Sequence, residues 1–357
     1  MTPDSLTFLK SLLDTPGPSA FEAAPARVWR TEAEGFADRV EADVGGNSFA
    51  TVNPGGRPRV MFAGHIDEIG VMVTHIDEEG YVSFDPIGGW DHQVFVGQRV
   101  QLLGRGGPVA GVVGKKAIHL MEKDDREKVS KVEDLWIDIG AASRSEAQER
   151  LRIGDPGVLA AGVLEFPNGR LVSRCIDNRI GAFVVLEAAR LFARNPAKKA
   201  ASVTAVATTR EEIAATGGGA RSSAVTLEPD VAIVVDVTHA TDYPGIDKRK
   251  HGEYKLGGGP VISRGASVSE VVFELLAATA EAEGIPYTIE AASRDTHTDA
   301  EAIFNAHRGV ATALVSVPNR YMHSPNEMVA LEDLDRTAIL LAAFAARLGP
   351  ATDFVPR

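Results

Sequence analysis

Short apolar runs alternate with amphipathic stretches along this 357-residue chain, and the alternation is broken once. This pattern limits the possible folds more than any other feature. Runs at 59–63, 202–208, 231–235 and 310–317 read as buried strands. Stretches at 5–13, 21–34, 180–193, 267–283 and 331–348 carry helical periodicity, the first expected to be capped by Asp4 or Ser5 and stopped by TPGPS. Strands alternating with helices predict an α/β class, with a largely parallel sheet covered on both faces to give three layers. The break comes at 71–163, where YVSFDPIGG, QRVQLLG and GPVAGVVG show short alternating segments between turn signals. That stretch predicts a small all-β unit, with MEKDDREKVSKVED as an exposed loop. The expected layout is one discontinuous α/β domain, 1–70 plus 164–357, with a β-rich domain of 71–163 inserted into it.

Composition removes several functions. The chain has 49 acidic against 37 basic residues, a formal charge of −12, whereas nucleic acid calls for a basic face. One cysteine excludes an intrachain disulfide framework and any site built on several thiolates, and fits a reducing compartment. No run of about 18 apolar residues is present, so no membrane-spanning helix is expected. The segment MTPDSLTFLKSLLDTPGPS reads as a helix start and not as a signal peptide, so the expected location is the cytoplasm.

The chemistry concentrates in GHIDEIG (64–70), CIDNRIG (175–181), TTREEIAATGG (208–218), VVDVTHATDYPG (234–245) and NRYMHSPNE (319–327). Four of these directly follow an expected strand. Ligands of open α/β sheets bind beyond the carboxyl ends of the strands. His65, Glu211, Glu212, Asp236 and His323 are therefore expected on one rim, with Asp177 joining from the start of the next helix. Any one of them has an ordinary structural explanation: a hydrogen-bonded histidine, a surface Glu-Glu pair or an aspartate helix cap. Their joint placement at several strand ends points to a metal site. Two imidazoles with several carboxylates and no thiolate suit zinc, cobalt or manganese better than calcium. An aspartate can share two cations, and an adjacent Glu-Glu pair can split into one ligand and one proton acceptor. Asp67 stands two residues from His65 on the same side of the chain, placed to fix its tautomer.

These segments resemble the family-42 metallo-aminopeptidases, a group that includes glutamyl, deblocking and tetrahedral TET aminopeptidases. GHIDEIGVMV is similar to the family's first metal segment. GGWDHQVFVGQRV, GVVGKKAIH and DLWIDIGAAS resemble its inserted domain, and CIDNRIG, REEI, VVDVTHATDYPG, HTDAEAI and RYMHSPNEMV follow in family order. The resemblance spans nearly the whole chain. It implies a peptidase with two divalent metal ions per subunit, zinc or cobalt first and manganese also compatible. His65 and Asp236 would hold one ion and Glu212 and His323 the other, with Asp177 bridging. Glu211 would be the general base, Asp67 would orient His65, and Asp299 of HTDAEAI would carry a less defined role. The resemblance further implies peptide substrates, a PDZ-like inserted domain that assists assembly, and a homo-oligomer of the tetrahedral dodecamer kind, with neither nucleic acid nor membrane as partner.

The pattern departs from the family at Arg210, where Gln is more usual, in the stretch IAATGGGA, and at His297, where Gly is frequent. No implied ligand is lost, so these departures bear on substrate preference more than on activity. Cys175, two residues before Asp177, reads as a small buried residue and not as a nucleophile. His75, His92, His119, His239, His251 and His307 receive no catalytic role. Gly217–Gly219 and Gly257–Gly259 lack a P-loop ending and read as tight turns near the site. A second enzyme class, a metal-dependent amidohydrolase or deacylase on non-peptide amides, would use the same residues. A binding or assembly subunit with a degenerate site would lack the full ligand set.

Overall fold

The computed structural model describes residues 1–195, 200–214 and 217–357. Its strands are β1 (Arg39–Ala42), β2 (Ser48–Val52), β3 (Arg59–His65), β4 (Gly70–Ile76), β5 (Val82–Ile87), β6 (Arg99–Gly104), β7 (Gly107–Gly114), β8 (Trp136–Asp138) and β9 (Pro156–Leu159). They continue with β10 (Leu164–Phe166), β11 (Arg170–Ser173), β12 (Ser202–Thr208), β13 (Val231–His239), β14 (Val261–Gly265), β15 (Thr288–Ala292), β16 (Ala311–Asn319) and β17 (Glu327–Ala330). The α-helices are α1 (Pro3–Asp14), α2 (Ala23–Ala33), α3 (Arg144–Arg150), α4 (Ile176–Ala193), α5 (Gly218–Leu227), α6 (Lys248–His251), α7 (Glu270–Glu283), α8 (Asp299–Phe304) and α9 (Leu331–Arg347).

Eight strands form one sheet in the order β1-β2-β12-β3-β13-β16-β14-β15. Its centre, β12, β3, β13 and β16, is parallel, and antiparallel pairs flank it. Alternate residues of each central strand enter different cores, as the period-2 geometry of a strand requires. Val60, Phe62, Val203, Ile233 and Val315 pack under α1, α2, α4, α7 and α9. Met61, Ala63, Val206, Val234 and Leu314 pack under α5 and α8 on the opposite face. The result is the expected three-layer α/β arrangement. Strands β4–β9 close a separate barrel around Val71, Phe84, Phe95, Leu102 and Ile137.

Several local expectations change. The cap of α1 is Thr2, whose hydroxyl accepts from the Ser5 amide at 3.2 Å, because Pro3 takes the first helical position without an amide to satisfy. The α1 apolar face, Phe8, Leu9, Leu12 and Leu13, is buried as its spacing demands. The polar stretch 121–134 contains two 3-10 turns, Lys123–Asp125 and Val132–Asp134. The long helix expected from 267 starts only at Glu270.

One feature of the sheet creates the site. β3 pairs with β13 only as far as Ala63–Val234, while β13 and β16 stay paired to His239–Asn319. The sheet therefore splits beyond Ala63, and the start of α4 fills the opening. Asn178 donates from Nδ2 to the freed Val235 carbonyl at 2.8 Å. A Cβ at Gly64 would meet the Gly181 carbonyl carbon at 2.4 Å, so glycine is needed for this approach of helix to strand.

Candidate metal centre

His65 ends β3, and its register partner Thr208 ends β12, which places the Glu211–Glu212 turn beside it. Asp67 secures that turn. Its Oδ1 accepts from the Glu211 amide and its Oδ2 from the Glu212 amide, both at 3.2 Å, and Oδ2 also accepts from the Ser19 hydroxyl at 2.5 Å. Asp67 Oδ1 lies 3.4 Å from His65 Nδ1, a nitrogen that makes no hydrogen bond. Asp67 thus grips the glutamate turn by hydrogen bonds and faces His65 through charge. Sequence spacing had suggested that Asp67 accepts the second ring N–H of His65 and fixes its tautomer; it had given no sign of the grip on the glutamate turn.

Asp236 lies within β13 and not after it, since β16 keeps pairing past it. Asp177 stands at the non-helical start of α4, and His323 lies in the loop after β16 with φ 59°. A residue to which sequence reasoning gave no role ties these two together. Glu327, almost fully buried, accepts the Asp177 amide at 2.9 Å and the His323 amide at 2.8 Å, one on each carboxylate oxygen. Its signal was present as the acid four residues after His323, in NRYMHSPNE. Asp299 opens α8 and accepts from the Thr208 hydroxyl at 2.6 Å.

Asp177 is central to the geometry. Its Oδ1 is 3.2 Å from His65 Nε2 and its Oδ2 is 3.4 Å from His323 Nε2. Glu212 Oε2 is also 3.4 Å from His323 Nε2. Two groups of potential ligand atoms result, His65–Asp177–Asp236 and Asp177–Glu212–His323. Ligands about 2.0–2.1 Å from a tetrahedral ion stand ~3.3 Å apart, which matches these separations. Glu212 Oε1 is buried without a hydrogen-bond partner, an unmet demand that a cation would satisfy. The donors present therefore fit divalent metal ions.

The electrostatics agree. Burial pushes Glu211 up to about 10, with the Asp236, Asp299 and Glu212 charges adding to it against the pull of His65. Burial likewise holds Asp236 well above the usual carboxylate range, and takes Asp299 to about 6. Burial opposes charge on His323, but Asp177 and Glu212 outweigh it and hold the imidazole at about 11. The cluster draws positive charge wherever it can find it.

All of these groups except Asp67 and Glu327 line one cavity of about 1150 Å³, together with Gly217, His239, Glu290 and His297. His239 is thus a wall residue. His297 has φ 55°, left-handed backbone in which glycine is cheapest, which accounts for the glycine usual at that position. Arg210 does not line the cavity; its guanidinium donates to the Gly45 carbonyl at 2.7 Å. Within IAATGGGA, Ala215 and Thr216 lie outside the described residues. Gly257–Gly259 does not line the cavity; Asp333 accepts from the Gly257 and Gly259 amides at 2.7 and 2.8 Å. Cys175 is buried, its thiol pushed up to about 12 by burial, so it carries no thiolate for nucleophilic work.

A three-layer α/β fold with a cluster of this kind at the carboxyl edge of its sheet defines the class as metallohydrolase. Comparison with known proteins narrows it. The profile of the M42 glutamyl aminopeptidase family matches residues 46–340. A lysyl aminopeptidase of Pyrococcus furiosus is 34% identical over 352 residues, 98% of each chain. The structure of a TET aminopeptidase from a marine sediment archaeon of the Thaumarchaeota superposes with a TM-score of 0.92 at 33% identity, covering 97% of both chains. The Pyrococcus horikoshii TET1 peptidase, described as assembling into a tetrahedron or a large octahedral shell, gives 0.84 at 30% identity, with 96% of this chain and 100% of that one covered. The chain belongs to the M42 family of aminopeptidases, hydrolases of peptide bonds that use divalent metal ions.

Proposed function

We propose that the chain is a co-catalytic two-metal aminopeptidase that removes N-terminal residues from peptides. The observation that carries this reading is Asp177, whose two oxygens face the two imidazoles at 3.2 and 3.4 Å. His65 and Asp236 would hold one ion and Glu212 and His323 the other, with Asp177 shared. Zinc or cobalt suits these donors first, and manganese is compatible. When bound, such ions lower the pKa of water toward about 7 and polarise a scissile carbonyl.

The chain's own residues do the rest. The Glu211 carboxylate lies 3.7 Å from His65 Nε2, on the cavity wall and outside both ligand groups. That position, beside the ligand groups but in neither of them, suits it to accept a proton from the attacking water. It then returns that proton to the amine nitrogen as the peptide C–N bond breaks. Asp67 keeps Glu211 and Glu212 in separate roles by pinning the amides of both.

The Glu211→Gln variant tests this assignment. It should keep its metal and lose about 10²–10⁴-fold in turnover; near-normal turnover with metal retained contradicts it. Aminoacyl amides assayed beside their N-acylated counterparts separate an aminopeptidase from a deacylase, and only the free-amine set should turn over.

The same proposal assigns 1–70 with 164–357 to the catalytic domain and 71–163 to a PDZ-like assembly domain. Ile118, Leu120 and Val129 are 58%, 70% and 60% exposed on that insertion, and such apolar exposure suits a subunit contact. A closed dodecamer of the tetrahedral kind, working in the cytoplasm, is the corresponding assembly. No helix among the described residues is long and apolar enough to cross a membrane.

A further inference from the structure

The cavity extends beyond the metal centre along β13. Thr238 follows Asp236 by two residues, so both side chains leave the same face of the strand, about 7 Å apart. Thr238 Oγ1 donates to Glu290 Oε1 at 2.9 Å. Ser263, the register partner of Glu290 in the parallel pair β14–β15, donates to Oε2 at 3.5 Å. Asp236, Thr238, Ser263 and Glu290 all line the cavity. Two hydroxyls thus hold one carboxylate about one strand step past a candidate metal ligand.

Among the other carboxylates of the cavity, Asp295 is exposed at the surface, whereas Glu290 is half-buried. Asp177, Glu212 and Asp236 belong to the ligand groups, and Asp299 accepts from Thr208. Glu301 caps α8 and accepts from the Thr296 amide and hydroxyl at 2.6 and 2.7 Å. Glu290 has no cationic partner among the described residues. Its charge is felt instead by Tyr254, whose phenol is pushed up to about 12 by burial and then by Glu290. Among the described residues that line the cavity, the one arginine, Arg221, is rooted on the α5–α8 wall beside Gly217 and Ala302, and not on the β13–β15 wall. A carboxylate that is held in place, lacks a cation and lines the same cavity as the metal centre suits a side chain ending in an ammonium or a guanidinium.

We propose that Glu290 receives the cationic side chain of an N-terminal lysine or arginine and makes this enzyme selective for basic residues. This rests on the aminopeptidase reading and adds the substrate class. It also sets the chain apart from the glutamyl activity in its family's description, because an N-terminal glutamate would bring a like charge against Glu290.

The test is kcat/KM on Lys-, Arg-, Leu- and Glu-p-nitroanilides for the metal-loaded wild type, Glu290→Gln and Glu290→Lys, with metal content and melting temperature checked for each. The wild type should favour Lys and Arg over Leu and Glu by about tenfold or more. Glu290→Gln should cut the Lys-to-Leu ratio by about tenfold, and Glu290→Lys should shift the ratio towards Glu. A wild type that treats Leu or Glu as well as Lys overturns the inference and leaves the aminopeptidase reading in place. So does a Glu290→Gln variant that lowers Lys and Leu alike. Silence on all four substrates with metal bound overturns both.

Discussion

The central sheet and the barrel bury their side chains in different ways. β12 is buried at every position and β13 at every position but the last, because helices cover both faces. Strands of the barrel such as β5 and β7 expose many of their residues, because only one face meets the small core. A fully covered sheet has water only at its edges. Its split edge concentrates Asp67, Asp177, Glu211, Glu212 and Asp236 where burial makes bare charge expensive. The barrel carries no comparable cluster among its described residues; it carries exposed apolar side chains instead. The sheet edge thus gathers buried ionisable groups, and the barrel surface exposes apolar ones.

The sharpest way to break this comparison is to show that damage in one region produces the other's phenotype. The largest effect is expected from Glu211→Gln, about 10²–10⁴-fold in turnover, with a melting temperature close to wild type. Next comes Phe95→Ala in the barrel, where Phe84 and Trp90 pack on the ring at 5.4 and 4.8 Å between centroids. Equilibrium denaturation should show a loss of about 3–5 kcal/mol, while the molecules that remain folded keep their metal. Glu327→Gln should weaken metal affinity by about 10–100-fold in calorimetric titration, because it loosens the backbone under Asp177 and His323 together. The smallest effect on stability belongs to Leu120→Glu, within about 0.5 kcal/mol. Sedimentation should nevertheless show smaller particles, and per-subunit turnover should hold. If Leu120→Glu abolishes turnover in intact subunits, the division of labour is wrong.

Sequence periodicity located the central strands because a strand buried on both faces is a continuous apolar run. β14, β15 and the hairpin β1–β2 escaped because they lie towards the sheet margins, where residues such as Arg39, Glu41 and Glu290 interrupt that signal. The site's residue types and order were legible, since His65, Glu211, Glu212, Asp236 and His323 each sit on or just past a strand. The supports were not. Glu327 acts through backbone amides, and Asp67 grips a turn 144 residues away, contacts that no local pattern encodes. Glu290 was hidden for a related reason: only the β14–β15 register and the Thr238 hydroxyl bring it to the cavity.

The central claim is that Asp177 serves two ions at once, and metal counting tests it most directly. Protein stripped with chelator, reloaded with zinc or cobalt and dialysed should retain two ions per chain by elemental mass spectrometry. Asp177→Asn should lose both sites together while keeping the wild-type far-ultraviolet circular dichroism. One ion per chain in the wild type, or an Asp177→Asn variant that still holds two, would contradict the account.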